Sequence, residues 1–546
     1  MVLIQNIKSG LVSLILSACA VLFPVAATAA ERIKFNFPPF GQFDIEVEDL
    51  QNFVATGEVS TELAYYLNRL PPDQIAKLPE LLSTPLELDP LSIAKFSNST
   101  IGEAVIKNFG KGIKADANLN GFYALRGAII AAAFDPQGLT VINLLREFPL
   151  STVYVDLEVI DRYIERGKRL FENRQAIDTA FFSDPSDSDK SLRRFNSASE
   201  PQVRGKYNWQ KQTYTYNNPN RSKQGYFDLY QPKIERSVPL IVISHGLASN
   251  RQTFAYLAQH LTSQGFAVAV IEHDDINLDK FDNFLSGSER FPEPNNLIDQ
   301  PLDVKYVLDR IENQINPQLQ NKIDMQQVGV IGQSFGGYTS LALAGGELIA
   351  DREATQCQED NKEVLLDLSS LAKCTFNELD RPRLQLADPR IKAAIAINPL
   401  GKIFGKAGIS EIEIPTMIIS GTNDLIVPPV AEQIRPFIWL DDDLDKYLVL
   451  VKPGTHFSFL QEGLGVLPVP NTVVGPSPTS AYPLLKDLST AFFKVYLTQQ
   501  PEYQAYLQND SLQQLNNDTF KSFILFNLTE ARLQEIITNV TQSKAN

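Results

Sequence analysis

The stretch Gln327-Val328-Gly329-Val330-Ile331-Gly332-Gln333-Ser334-Phe335-Gly336 runs an apolar segment straight into a serine flanked by glycines. Val328, Val330 and Ile331 have the β-branched character of a buried strand, and G-x-S-x-G at its end predicts a sharp turn into a helix. The glycines have a steric task there, because strand and helix approach where a Cβ would collide. The serine between them is expected in strained backbone geometry that exposes its Oγ. A hydroxyl is a weak nucleophile alone, so this one requires a histidine base and a carboxylate that orients the base. The chain has four histidines, His245, His260, His273 and His456. On this kind of turn the partners follow in the order acid, then histidine, and only His456 lies downstream of Ser334.

Around that turn the chain is long and acidic. Its 546 residues exceed one catalytic domain and suggest about three. A hydrophobic fraction of 44% and a charged fraction of 21% suit a chain that buries a sizeable core. The formal net charge of −15, with no clustered Lys/Arg tract, argues against nucleic acid as a partner.

Residues 1–30 read as a targeting leader. Lys8 is the only charge there, Leu11–Phe23 is almost wholly apolar, and Ala27-Thr28-Ala29 supplies small residues for cleavage. The apolar run is shorter than the roughly 20 residues of a membrane-spanning helix. Simple export, to the periplasm or beyond, is one reading. Leu16-Ser17-Ala18-Cys19 supports another, a lipid attached at Cys19. Without the leader, Cys357 and Cys374 remain, and in an oxidising compartment this pair is expected to form a disulfide or to stay as two buried thiols.

Residues 31–150 read as an all-helical domain. Thr61–Leu70, Pro72–Leu82 and Gly121–Phe134 are helix candidates, Asp89-Pro90 is a cap followed by proline, and Thr100–Glu103 is a capping box ahead of Ala104–Phe109. No catalytic motif falls here, so the domain has a structural role or binds a lipid or partner. Residues 151–204 read as a short strand at Val153 and Val155, a long helix Leu157–Phe182 and a Ser/Asp-rich linker. From about residue 205 to 500, strands and helices alternate, which implies a mostly parallel sheet with helices on both faces. Eight strands are expected: Lys211–Tyr216, Tyr226–Tyr230, Leu240–Ser244, Ala267–Ile271, Val328–Ile331, Ala393–Ile397, Thr416–Ser420 and Tyr447–Val451. Residues 345–388 interrupt this pattern as a lid-like insertion with Leu365, Leu366, Leu368 and Leu371 as its apolar face, and 501–546 read as a helical tail.

Asp424 follows the seventh strand, where a carboxylate is well placed to hold a histidine. After the sixth strand stands Asn398-Pro399, which offers no carboxylate. Gly454-Thr455-His456 lies beyond the eighth. His245-Gly246-Leu247 follows the third strand, where a backbone N–H turned toward the reacting carbonyl is expected. The amides of Leu247 and Phe335 are therefore the expected oxyanion donors, with His245 as a turn residue rather than a base.

These residues carry a resemblance. Ser244-His245-Gly246-Leu247, Val270-Ile271-Glu272-His273, Pro301-Leu302-Asp303-Val304, Gly332–Gly337 and Gly421-Thr422-Asn423-Asp424 resemble the bacterial, chiefly cyanobacterial, α/β-hydrolases that carry a helical N-terminal domain of unknown function. Residues 205–460 are more distantly similar to platelet-activating-factor acetylhydrolases and dienelactone-hydrolase-like proteins. Two departures stand out: Gln333 replaces the usual histidine of G-H-S-F-G, and the acetylhydrolases take their acid after the sixth strand rather than the seventh. The resemblance implies an α/β-hydrolase fold and a serine hydrolase of carboxylic esters. Its catalytic residues would be Ser334, Asp424 and His456, with Leu247 and Phe335 at the oxyanion hole. It implies no cofactor or metal, a small-molecule ester or lipid substrate, and peripheral membrane contact at most. A peptidase of the same fold and a catalytically silent binding protein stay open.

Overall fold

The computed structural model describes residues 29–37, 41–183, 200–285, 293, 295–314, 322–350, 368–377, 379, 381–461 and 471–543. Two compact units emerge, one of residues 1–97 with 106–162 and one of 98–105 with 163–546.

The first unit is not all-helical. Strands β1 (Arg32–Phe37), β2 (Gly41–Glu46), β3 (Ile113–Asp116), β4 (Leu119–Asn120) and β5 (Thr152–Val155) form one sheet in the order β2-β1-β5-β3-β4. Arg32-Ile-Lys-Phe-Asn-Phe37 alternates polar and apolar residues, the period of a half-buried strand. It pairs antiparallel with β2, which sets Arg32 opposite Glu46 with an ion pair of 2.8 Å. The expected helices are present as Thr61–Leu67, Pro72–Ser83 and Phe122–Phe134. Thr100–Gly112 is one continuous helix, longer than Ala104–Phe109, and its cap is Ser99, whose Oγ accepts from Gly102 N at 3.0 Å. Phe122, Leu125, Ala128, Phe148 and Val153 close the core of this unit.

In the second unit, strands β6 (Trp209–Tyr216), β7 (Gly225–Pro232), β8 (Val238–Ser244), β9 (Ala267–Ile271), β10 (Ile323–Gln333), β13 (Ile391–Ile397), β14 (Thr416–Gly421), β15 (Lys446–Lys452) and β16 (Lys521–Leu525) form a nine-stranded sheet. Its order is β16-β15-β14-β13-β10-β8-β9-β7-β6, parallel from β9 to β15 and antiparallel at both edges. This is the α/β-hydrolase fold. Leu240, Ile241, Val242 and Ile243 are all buried, because helices cover both faces and successive side chains alternate between them. On one face lie helices Ala255–Ser263 and Tyr482–Thr498, whose Leu257, Leu261, Leu488 and Phe492 pack on Ile243, Ile331 and Met417.

The ninth strand corrects two expectations, eight strands and a helical tail. β16 comes from the tail and pairs antiparallel with β15, Val449 opposite Ile524. It covers an edge that would otherwise present unpaired backbone groups. Helices Asn509–Leu515 and Glu530–Ser543 flank it.

The helix Leu157–Phe182 (α1) forms as expected, while most of the Ser/Asp-rich linker after it lies outside the described residues. In the insertion, β11 (Glu347–Ile349) pairs with β12 (Arg383–Gln385), and helix Leu368–Asn377 buries Ala372, Cys374 and Phe376. Ser369 Oγ donates to Glu432 Oε2 at 2.6 Å, so this helix is fastened to the catalytic unit. Leu365 and Leu366 lie outside the described residues, as do the side chains of Leu368 and Leu371. Cys357 lies outside the described residues.

Candidate active site

Strand β10 delivers Ser334 between β8 and β13. The backbone there has φ 58° and ψ −118°, a region L-residues avoid at a cost of about 1–3 kcal/mol. Ser334 N donates to Ile397 O at 2.9 Å, and its carbonyl accepts from Tyr338 N at 3.0 Å, opening helix Phe335–Ala344. The glycines do what sterics require. A Cβ on Gly332 would meet Gly336 O at 2.1 Å, and one on Gly336 would meet Ser244 O at 2.1 Å. Ser334 keeps 6% exposure at the start of a helix whose residues are all buried.

Asp424 and His456, nominated separately from the sequence, meet. His456 Nδ1 donates to Asp424 Oδ2 at 2.7 Å, and the other carboxylate oxygen accepts from Ile426 N at 2.9 Å and Val427 N at 2.8 Å. The carboxylate is thus held on both oxygens. It also sets the imidazole tautomer, with the proton on Nδ1 and the lone pair on Nε2. No hydrogen bond runs between Ser334 Oγ and His456 among the described residues. Gln333 connects the two segments instead: its Nε2 donates to His456 O at 3.0 Å. The departure from G-H-S-F-G therefore puts a clamp on the histidine loop.

Asn398 is a second clamp. At φ 43°, its Nδ2 donates to Thr455 O at 3.1 Å and its Oδ1 accepts from Gly421 N at 2.8 Å. It ties the end of the acid-bearing strand to the histidine loop. Sequence reading saw only that Asn398 was no carboxylate. Nothing local in Asn398-Pro399 signals contacts to residues more than twenty positions away.

His245 is fully buried with both ring nitrogens engaged. Nε2 accepts from His273 N at 3.0 Å, which places the proton on Nδ1, and Nδ1 donates to Gly246 O at 2.9 Å. Burial, then the neighbouring His273, pushes its pKa down to about 3. It stays neutral and is no base for Ser334. It does orient a peptide: Gly246 C=O and Leu247 N–H share one planar trans unit, so anchoring the oxygen aims the N–H the opposite way.

A further serine–histidine–aspartate set went unrecognised in the sequence. Ser244 Oγ lies 2.9 Å from His273 Nε2, and His273 Nδ1 lies 3.0 Å from Asp303 Oδ2. Asp303 Oδ1 also accepts from Arg221 Nε at 2.9 Å and Asn218 Nδ2 at 2.8 Å. Burial alone would raise the Asp303 carboxyl, but hydrogen bonds from His273 and Arg221 hold it below the ordinary range.

Comparison with known proteins agrees with this architecture. Residues 29–156 match the model of the family described as "Alpha/beta hydrolase of unknown function (DUF1400)", and residues 221–279 match "Platelet-activating factor acetylhydrolase, isoform II". Cutinase 2 of Thermobifida cellulosilytica is 22% identical over 254 residues, covering 45% of this chain and 68% of the relative. Cutinase est1 of Thermobifida alba is 24% identical over 237 residues, covering 42% and 57%. Cutinase cut1 of Thermobifida fusca is 22% identical, covering 45% and 56%. The chain thus spans little more than half the length of two of these relatives. Sheet order and family matches together support an α/β-hydrolase whose residues 221–279 are similar to the platelet-activating-factor acetylhydrolases.

Proposed function

We propose that this protein hydrolyses carboxylic esters through an acyl-enzyme intermediate on Ser334. The observation that carries the reading is the 2.7 Å bond from His456 Nδ1 to Asp424, which leaves Nε2 as the base for a serine held at φ 58°. Ser334 Oγ attacks the acyl carbonyl while His456 takes its proton, and the alcohol leaves with that proton. Water, activated by the same nitrogen, then releases the acid. Asp424 holds the imidazole and supports its positive charge. The amides of Leu247 and Phe335 stabilise the oxyanion, a contribution of about 3–4 kcal/mol per donor in comparable sites. The relatives named cutinase and the acetylhydrolase match support an ester as substrate.

Fluorophosphonate labelling of the purified protein tests the nucleophile, and p-nitrophenyl esters from acetate to palmitate test the substrate. Labelling of Ser334 with ester turnover is expected. Labelling with peptide but not ester turnover replaces the esterase by a peptidase. No labelling overturns the reading in favour of a silent binding protein.

Export and a Cys357–Cys374 bridge complete the proposal. The small-residue site at Ala27-Thr28-Ala29 supports export, and among the described residues no helix is long and apolar enough to cross a membrane. Closing that loop is worth on the order of 3 kcal/mol by chain entropy. Non-reducing peptide mapping of the exported protein is expected to find the bridge and a chain beginning after Ala29 or Ala30. A lipid on Cys19, or two free thiols, would overturn the respective half.

A further inference from the structure

A cavity of about 470 Å³ opens within the catalytic unit between the C-terminal part of α1, the acid-bearing loop after β14 and the final helix Glu530–Ser543. That volume is within the roughly 300–1,000 Å³ of small-molecule sites. Leu170, Phe171, Ile177, Val430 and Ile537 give it an apolar lining. Ser334, His456, Leu247 and Phe335 do not line it; it touches the candidate active site only at Asp424. Leu170 and Phe171 stay 41% and 59% exposed, so α1 keeps apolar surface in water at this opening.

Its polar features converge on an anion. Arg174 and Arg435 both line the cavity. Their carboxylate neighbours are loosely placed, Asp178 at 3.9 Å from Arg174 and Glu530 at 3.4 Å from Arg435, which leaves guanidinium donors for a ligand. Thr422, 3% exposed and also lining the cavity, has a buried hydroxyl with no hydrogen-bond partner among the described residues. A buried hydroxyl left unpaired costs free energy that a ligand oxygen would recover. Asp178, Glu530 and Asp424 nearby disfavour a multiply charged head group.

We propose that this cavity binds a free alkyl carboxylate, with its chain among Leu170, Phe171 and Val430 and its head at Arg174 and Arg435. The inference stands apart from the esterase reading, since loss of labelling at Ser334 would leave it untouched. Isothermal titration of the mature protein with dodecanoate is expected to show one saturable site that Phe171→Asp weakens at least tenfold. Arg435→Gln is expected to weaken dodecanoate about tenfold and to leave decanol binding unchanged. Thermal melts of both variants serve as folding controls, and Leu170→Gln repeats the chain test if Phe171→Asp melts early. Equal affinity in wild type and chain-site variants places the carboxylate elsewhere, the ester site included, and overturns the proposal. Binding only to phosphatidylglycerol vesicles, with none to free dodecanoate, also overturns it and makes this face a membrane contact.

Discussion

Ser334, Asp424 and His456 stand at the ends of strands β10, β14 and β15, whereas Ser244, His273 and Asp303 are fully buried within the same unit. Residue types are the same in both sets, and each histidine holds its aspartate, at 2.7 Å and 3.0 Å; only the buried set also has a serine–histidine hydrogen bond among the described residues. What differs is strain, access and charge. Ser334 sits at φ 58° with some surface open; Ser244 is the last residue of an ordinary strand, at 0% exposure. Asp424 is held by two backbone amides and the imidazole, with no cationic side chain bonded to it among the described residues. Asp303 is neutralised by Arg221. The buried set is a scaffold: through His273 N it holds His245, and His245 holds the Gly246–Leu247 peptide. A triad defined by residue types alone would have been satisfied twice.

Substituting both serines tests this contrast most sharply. Ser334→Ala and His456→Ala are each expected to lower ester turnover about 10⁴-fold or more without loss of fold, with the double variant little worse. Ser244→Ala is expected to keep turnover within about threefold and to cost about 1–3 kcal/mol of stability, because His273 Nε2 loses its buried partner. Comparable losses of turnover at the two serines would erase the distinction.

The two aspartates extend it. Asp424→Asn is expected to fold normally and lose about 10⁴-fold in activity, since the amide favours the wrong imidazole tautomer. Asp303→Asn is expected to do the reverse, destabilising by about 3 kcal/mol because buried Arg221 loses one of its two carboxylate partners and keeps only Asp275. Denaturant melts beside steady-state kinetics read both effects. Near-normal turnover in folded Asp424→Asn removes that residue from the mechanism.

A smaller effect concerns pH. Burial, then Lys486, pushes His260 down to about 4, and its Nε2 donates to Pro201 O at 2.8 Å. His245 is lowered further. Both folded values lie below the ordinary value near 6.5, so between about 6.5 and 4 the unfolded chain binds protons that the folded chain refuses. Stability is therefore full above about pH 7 and falls as pH drops, with His260 contributing on the order of 3 kcal/mol by pH 4. Calorimetric melts from pH 7 to 4 are expected to show this slope, shallower in His260→Gln. An unchanged slope removes His260 from the linkage.

Where a segment is buried on both sides, its pattern is legible. Ala267–Ile271 was bounded to the residue, and the other expected strands of the sheet overlap what forms; for the inner ones the reason is that a strand covered on both faces must be continuously apolar, which the mostly exposed edge strand β6 is not. Of the first unit's sheet only β5 was read as a strand, although β1 alternates plainly and pairs with β2 directly after it, because β3 and β4 have only four and two residues and β1 meets β5 more than a hundred positions on. β16, Lys521-Ser522-Phe523-Ile524-Leu525 at a sheet edge, buries Ser522 and Ile524, so its short apolar run does not follow the alternation that marks a strand.

Chain order and residue type were enough to nominate Ser334, Asp424 and His456, since a serine turn needs an acid and a later histidine, and the candidates were few. Tertiary structure alone decided what surrounds them: Gln333 and Asn398 as clamps, His245 as a neutral anchor, Ser244–His273–Asp303 as scaffold, and a cavity beside Asp424. The physical reason is that each depends on hydrogen bonds or packing between segments distant in sequence. A side chain's type states which bonds it is able to make, and only the folded chain brings the partner within reach.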